Sequence, residues 1–285
     1  MFLNRISKMA GYCAIAAFGV IFTVSSCKDK EDDNTLINTE QTGYAEEQVL
    51  LEQIYDNTDR LIDRALTLGA SSLKGGENPL ANCATIKKDT TNDPNLSRMT
   101  INFGQNCLGY DGRYRSGQLI VDYNNKLKST EKGYYYKITF DIYGVDGHTL
   151  VGHKEVWNTG RNAAGNIKYD IASVDTIYLK DQSGKVTGAS QRTREWFAGS
   201  STPQTSDDVY RFTGFGHFTR PSGEQYYVEI VKPLVDALDC QWINEGVINI
   251  FPEDASQRVL DFGDGQCEND ATIDVNGVVR KVVIP

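Results

Sequence analysis

A chain of 285 residues is long enough for one large domain or two small ones, and it can bury a core without metal or disulfide staples. Its formal net charge of -9 speaks against a duplex nucleic acid as partner. Glycine (26) and tyrosine (15) are abundant, which tilts the expectation toward sheet.

The N-terminus reads as a targeting segment. Arg5 and Lys8 precede "MAGYCAIAAFGVIFTV" (Met9 to Val24), an uncharged run too short to span a bilayer comfortably. "VSSC" (Val24 to Cys27) follows and resembles a bacterial lipobox. The resemblance implies a lipoprotein signal peptide over residues 1–26 and a mature chain that starts at a lipidated Cys27, anchored to a membrane by its acyl chains. Cys13 sits inside the apolar run without the small-residue frame and carries no such meaning. Removing Arg5 and Lys8, the only charged residues before Cys27, takes the net charge from -9 to -11. The next residues, "KDKEDD", resemble the lysine-plus-acidic export signal of Bacteroidetes outer-membrane lipoproteins. That likeness implies display on the cell exterior, with attachment facing the periplasm as the alternative. Residues 27–43 are polar and poor in core-formers, so they read as a flexible tether to a single β-rich domain over 44–285.

From Tyr44 to Leu68 the apolar residues Leu51, Ile54, Leu61, Ile62, Ala65 and Leu68 recur at helical spacing. Thr42 is placed to cap this helix, Glu46 and Glu47 fall in its first turns, and Gly69 ends it. The stripe predicts an amphipathic helix covering one face or end of a sheet, or else docking a partner. Gly69 to Pro79 reads as a loop.

Residues 80–285 change period. Stretches such as "YYYKITFDIYGVDG" (Tyr134 to Gly147), "NIKYDIASVDTIYLK" (Asn166 to Lys180) and "ATIDVNGVVRKVVIP" (Ala271 to Pro285) are strand material broken by Asp-Gly, Ser-Gly and Asn-Gly turns. Two-residue loops at Asp146-Gly147 and Asn276-Gly277 favour antiparallel neighbours. Pro233 signals an edge or a strand end. The expected fold is mainly β: an antiparallel β-sandwich or layered antiparallel sheets with an internal pseudo-repeat, and the N-terminal helix packed on it.

The repeat lies in the cysteines. Cys83 is followed by "MTINFGQNC" ending at Cys107, and Cys240 by "RVLDFGDGQC" ending at Cys267. In an exported chain four such cysteines point to two disulfides, and the repeat favours Cys83 with Cys107 and Cys240 with Cys267 among three possible pairings. The units could belong to two related sheets or to a pseudo-symmetric pair of strand-turn units.

Chemistry is sparse. His148, His153 and His217 are the only histidines, in no ligand-pair spacing, and no nucleophile elbow marks a serine. The carboxylate pairs Asp170 with Asp175 and Asp207 with Asp208 suit glycoside hydrolysis only at the right separation. No catalytic residue and no cofactor is assigned. Asp261, Asp264, Glu268 and Asp270 make an acidic loop that could offer oxygens to calcium, the alternative being a hairpin clamped by Cys267.

Aromatic residues supply the binding hint. Tyr134, Tyr135 and Tyr136 are consecutive, Tyr226 and Tyr227 are adjacent, and Trp157 and Trp196 add indole rings. Alternation along a strand forces some of them away from a one-sided core, where they can stack on sugars or anchor a protein, unless both faces are covered.

The order of "INFGQNC", "DGRYRSGQLIV", "TREWFAG", "DDVYRFTG", "CQWINEGVINI" and "LDFGDGQCENDATIDVNG" resembles a group of surface lipoproteins of gut and oral Bacteroidetes with no established activity. The likeness runs over residues 80–285 and implies location and β content, but no catalytic residue. The expected function is a non-enzymatic envelope lipoprotein that binds a glycan or a protein. The alternatives are an accessory subunit of an outer-membrane assembly and, third, a hydrolase.

Overall fold

The computed structural model describes residues 39–68 and 80–285. The signal segment, Cys27, most of the tether and the 69–79 loop lie outside the described residues. Helix α1 (Thr39–Leu68) leads into β1 (Thr85–Thr90), β2 (Leu96–Leu108), β3 (Tyr114–Asn124), β4 (Tyr135–Val145), β5 (His148–Arg161) and β6 (Ile167–Tyr178). There follow β7 (Lys185–Ala198), β8 (Val209–Thr219), β9 (Gln225–Ala237), β10 (Glu245–Pro252), β11 (Arg258–Asp264), β12 (Asp270–Val275) and β13 (Val278–Val283). The helix starts before Thr42, so Thr42 lies inside it rather than capping it, and the last residues of the expected tether are helical.

All thirteen strands form one antiparallel sheet in chain order, and β1 and β13 do not pair, so the sheet is not closed into a barrel. The local turns explain the order, because each strand meets its sequence neighbour first. At Asp146-Gly147 and Asn276-Gly277 both loop residues have positive φ (49° and 87°; 54° and 84°), the geometry of a type I′ hairpin. Strand β6 shows the period-two rule plainly: Ile167, Tyr169, Ile171, Ser173, Asp175 and Ile177 all fall on the inner face.

Register shifts between β2 and β3, β4 and β5, β5 and β6, β8 and β9, and β9 and β10 mark bulges, which bend and twist a sheet. One of them overturns the reading of Pro233 as an edge signal. It stands in β9, between β8 and β10, at a bulge where the register jumps on both sides and no ladder N–H is required of it. The bent sheet curls about the helix, and Arg113, in the β2–β3 turn, donates to the Pro285 carbonyl at 2.9 Å across the gap.

Inside the curl, α1 departs from its sequence pattern. Leu51, Ile54, Leu61, Ile62 and Ala65 are buried as the apolar stripe requires, but so are Gln48, Glu52, Asp56, Asn57 and Asp59 from the polar side. The sheet meets that side with charge. Glu47 pairs with Arg220 after β8 (3.0 Å), Glu52 with Arg192 of β7 (2.5 Å) and Asp59 with Lys154 of β5 (2.6 Å). Arg60 binds Asp236 of β9, and Tyr55 donates to Asp175 of β6 at 2.7 Å. Such buried pairs add little over apolar packing, yet losing one partner strands a charge in low dielectric.

The two cysteine units belong to the same sheet, one at β1–β2 and the other at β10–β11. Cys83 is bonded to Cys107 and Cys240 to Cys267, with Cα atoms 5.5 and 5.6 Å apart. Their shared letters have a shared geometry. Asn102 accepts from the Gly104 amide and Asp261 from the Gly263 amide, each at 2.8 Å, while Phe103 and Phe262 are buried. Both glycines have positive φ (65° and 94°), so asparagine or aspartate, phenylalanine and glycine encode a side-chain-closed bulge beside each disulfide.

Candidate functional site

Where α1 ends, the curl opens into a cleft of about 1070 Å³. Its floor is set by strand register. Trp196 on β7 stands opposite Ile167 of β6 and Tyr210 of β8, with the Trp196 and Tyr210 rings 5.6 Å apart. Two residues back, Arg194 faces Tyr169 across the ladder and is held between the Tyr169 and Tyr210 rings, at 4.7 and 4.9 Å. Tyr134 and Tyr136, 6.1 Å apart where the chain enters β4, extend the aromatic wall, to which Tyr110 and Tyr123 also belong. Two of these rings thus sandwich one guanidinium, and the others line the same cleft.

The polar groups are ordered from behind. Arg194 donates to Asp63 of α1 at 2.6 Å, and Trp196 donates through Nε1 to Asp208 at 3.0 Å. Burial works against the charge of Arg194, but Asp63 together with the Tyr136 and Tyr210 phenols and Asp59 outweighs it, and the guanidinium stays charged. Burial also raises the Asp63 carboxyl against the pull of Arg194, and raises that of Asp208. The phenol of Tyr169 is pushed up to about 12 by burial, and those of Tyr134, Tyr136 and Tyr210 rise for the same reason, so all stay protonated near neutral pH. Two donors at the floor have no partner among the described residues: the Tyr136 hydroxyl and Arg194 Nε, on residues only 2% and 4% exposed.

The seven aromatics singled out by sequence part three ways. Tyr134, Tyr136 and Trp196 line the cleft. Tyr135 points to the outer face, where its ring lies 5.5 Å from Trp157. Tyr226 offers no exposed platform: it is buried between Tyr44 and Phe218, both at 5.4 Å, because its strand position faces the helix. Tyr227 lies on the outer face against Phe215, His217 and Phe251. Tyr169, Tyr210, Arg194 and Asp63 were not anticipated, and Asp208 was singled out only as half of a carboxylate pair. The alternation Arg192, Arg194, Trp196 in "RTREW" was the available signal, since residues two apart on a strand share a face.

The other candidates do not converge. Asp170 is exposed and Asp175 buried, on opposite faces of β6, so they cannot flank one bond. Asp208 faces the cleft, while Asp207 accepts from Thr202 at 2.9 Å. In the acidic loop Asp261 is taken by the Gly263 amide and Asp270 by Lys281, and no group of three or more potential metal ligands gathers among the described residues. His148 is buried at the start of β5, and burial lowers its pKa; His153 and His217 lie on the outer face of the sheet. Among the described residues no helix is long and apolar enough to cross a membrane.

Comparison with protein-family models, with curated proteins and with solved structures finds no match to this chain.

Proposed function

We propose that the chain is a non-enzymatic lipoprotein, anchored through Cys27 in the outer membrane and facing the cell exterior, whose cleft at the end of α1 binds a glycan. The observation that carries the binding reading is the aromatic cleft itself. Small-ligand sites span about 300–1,000 Å³ and combine apolar walls with a few fixed polar groups. This cleft has about 1070 Å³, seven aromatic residues in its lining and two buried donors without partners among the described residues. Sugars present apolar C–H faces and rings of hydroxyls, which stacked aromatics and neutral phenols match. The anchoring reading rests on "VSSC" and "KDKEDD" in the sequence.

Screening of the full-length protein in detergent on a glycan array, followed by calorimetric titration of the best binder, tests the binding reading. Trp196→Ala is expected to weaken that binder about tenfold through lost ring contact. Trp157→Ala, on the opposite face, is expected to leave it unchanged. Equal effects of the two substitutions, or no binder at all, would count against the cleft. Intact-mass analysis of the protein from its native membrane tests the anchor, with a diacylglycerol-modified Cys27 expected and an unmodified one contradicting it.

A further inference from the structure

The cleft's charge points to a narrower class of ligand. The chain as a whole is acidic, at -9. Yet the carboxylates on the cleft wall are each engaged by the protein: Asp63 by Arg194, Asp111 by Arg115 and Asp208 by the Trp196 indole. Arg60 is held in turn by Asp56 and Asp236. What is left over is cationic. Arg64, exposed on the last turns of α1, and Lys128, exposed between β3 and β4, both line the cleft. Neither has an ion-pair partner among the described residues.

At the floor the uncommitted groups are again donors, the Tyr136 hydroxyl and Arg194 Nε. A neutral sugar is itself rich in hydroxyl donors and is matched by free carboxylates, which this wall does not offer. A carboxylate or sulfate group on a sugar is an acceptor only, and brings negative charge to two free cations at the rim and acceptor oxygens to two unsatisfied donors below. We propose, resting on the cleft reading above, that the cleft takes an acidic glycan, its anionic group held by Arg64 and Lys128 and its sugar faces on Trp196 and the tyrosines. A positive rim on an acidic body also focuses attraction at the cleft mouth, so capture falls with rising salt.

The test is a panel of matched pairs titrated into the full-length protein in detergent. Oligogalacturonate is set against its methyl ester, sialyllactose against lactose, and a heparin fragment against its desulfated form. Wild type is compared with Arg64→Gln/Lys128→Gln and with Trp196→Ala. The expected result is that at least one acidic member binds tenfold or more tightly than its neutral twin. That preference is lost in the double variant, whose melting temperature is unchanged because both side chains are exposed. The carboxylated and sulfated arms separate the two sources of negative charge. Neutral twins binding as well as acidic ones, with the double variant indifferent, would overturn the acidic assignment and leave the cleft standing. Binding as tight in Trp196→Ala as in wild type, or no binding by any member, would remove the cleft reading and this inference with it.

Discussion

Replacing Lys154 with methionine probes how the helix is held inside the sheet. Lys154 Nζ lies 2.6 and 2.7 Å from the two Asp59 oxygens, and both residues are buried. At an effective dielectric of about 20, unit charges at that distance attract by about 6 kcal/mol. Desolvation of both ions offsets much of it, so the intact pair has a small net value, whereas removing one partner costs about 3–5 kcal/mol. Methionine nearly keeps the volume of lysine, so the cost is electrostatic: Asp59 is stranded, and Asp63 and Asp175 also lose a cation whose field they feel. Lys154→Met is therefore expected to lower unfolding stability by about 3–5 kcal/mol in urea titrations followed by circular dichroism. Lys154→Met/Asp59→Leu should recover most of that loss and stand within about 1 kcal/mol of wild type. A single substitution costing under about 1 kcal/mol, or a double variant no better than the single, would refute the view of α1 as a helix pinned by buried charge.

Two further outcomes follow from the same interior. Burial holds the Asp236 carboxyl well above its usual range, with Asp56 and Arg60 of α1 beside it and Arg194 of β7 nearby, and burial also raises Asp56, Asp63 and Asp175. A carboxyl whose folded pKa exceeds its unfolded value contributes stability at low pH and loses it as pH rises through the folded pKa; Asp111, lowered by Arg115 against burial, and His148 work the opposite way. The urea midpoint is thus expected to be higher at pH 5 than at pH 8, with a smaller difference in Asp236→Asn; a midpoint that climbs with pH and is indifferent to that substitution contradicts the assignment. Cys240→Ser opens a loop with a sequence separation of 27 and is expected to cost about 3–4 kcal/mol, read from the denaturation midpoint without reductant. A loss no greater than that caused by serine at an exposed surface position would show that this bridge does not constrain the unfolded chain.

The sheet was legible because its signals are local. Alternation along β6 and the Asp146-Gly147 and Asn276-Gly277 turns act within a few residues, and the cysteine repeat marked both disulfides. The setting of the helix was not. Glu52, Asp56 and Asp59 stand at the spacing of a solvated face, and nothing near them announces Arg192, Asp236 and Lys154, which lie about a hundred or more residues away. Pro233 misled for a related reason, since a bulge in a central strand forgives a missing amide only when both neighbours skip the same place. At the cleft, Trp196 and two of the three consecutive tyrosines were visible as aromatic clusters. Tyr169 and Tyr210 sit singly on strands, and only register brings them to either side of Arg194.

The claim that the end of the helix is where a glycan lies can be read from three nuclei. The chain has three tryptophans, Trp157 on the outer face, Trp196 in the cleft and Trp242 beyond β9, so a nitrogen–proton spectrum of the indoles contains three assignable signals. Titration with the glycan that binds is expected to shift the Trp196 signal, whose N–H rests on Asp208, and to leave Trp157 in place. A shift at Trp157 with Trp196 unmoved would put the sugar on the other side of the sheet and contradict the account.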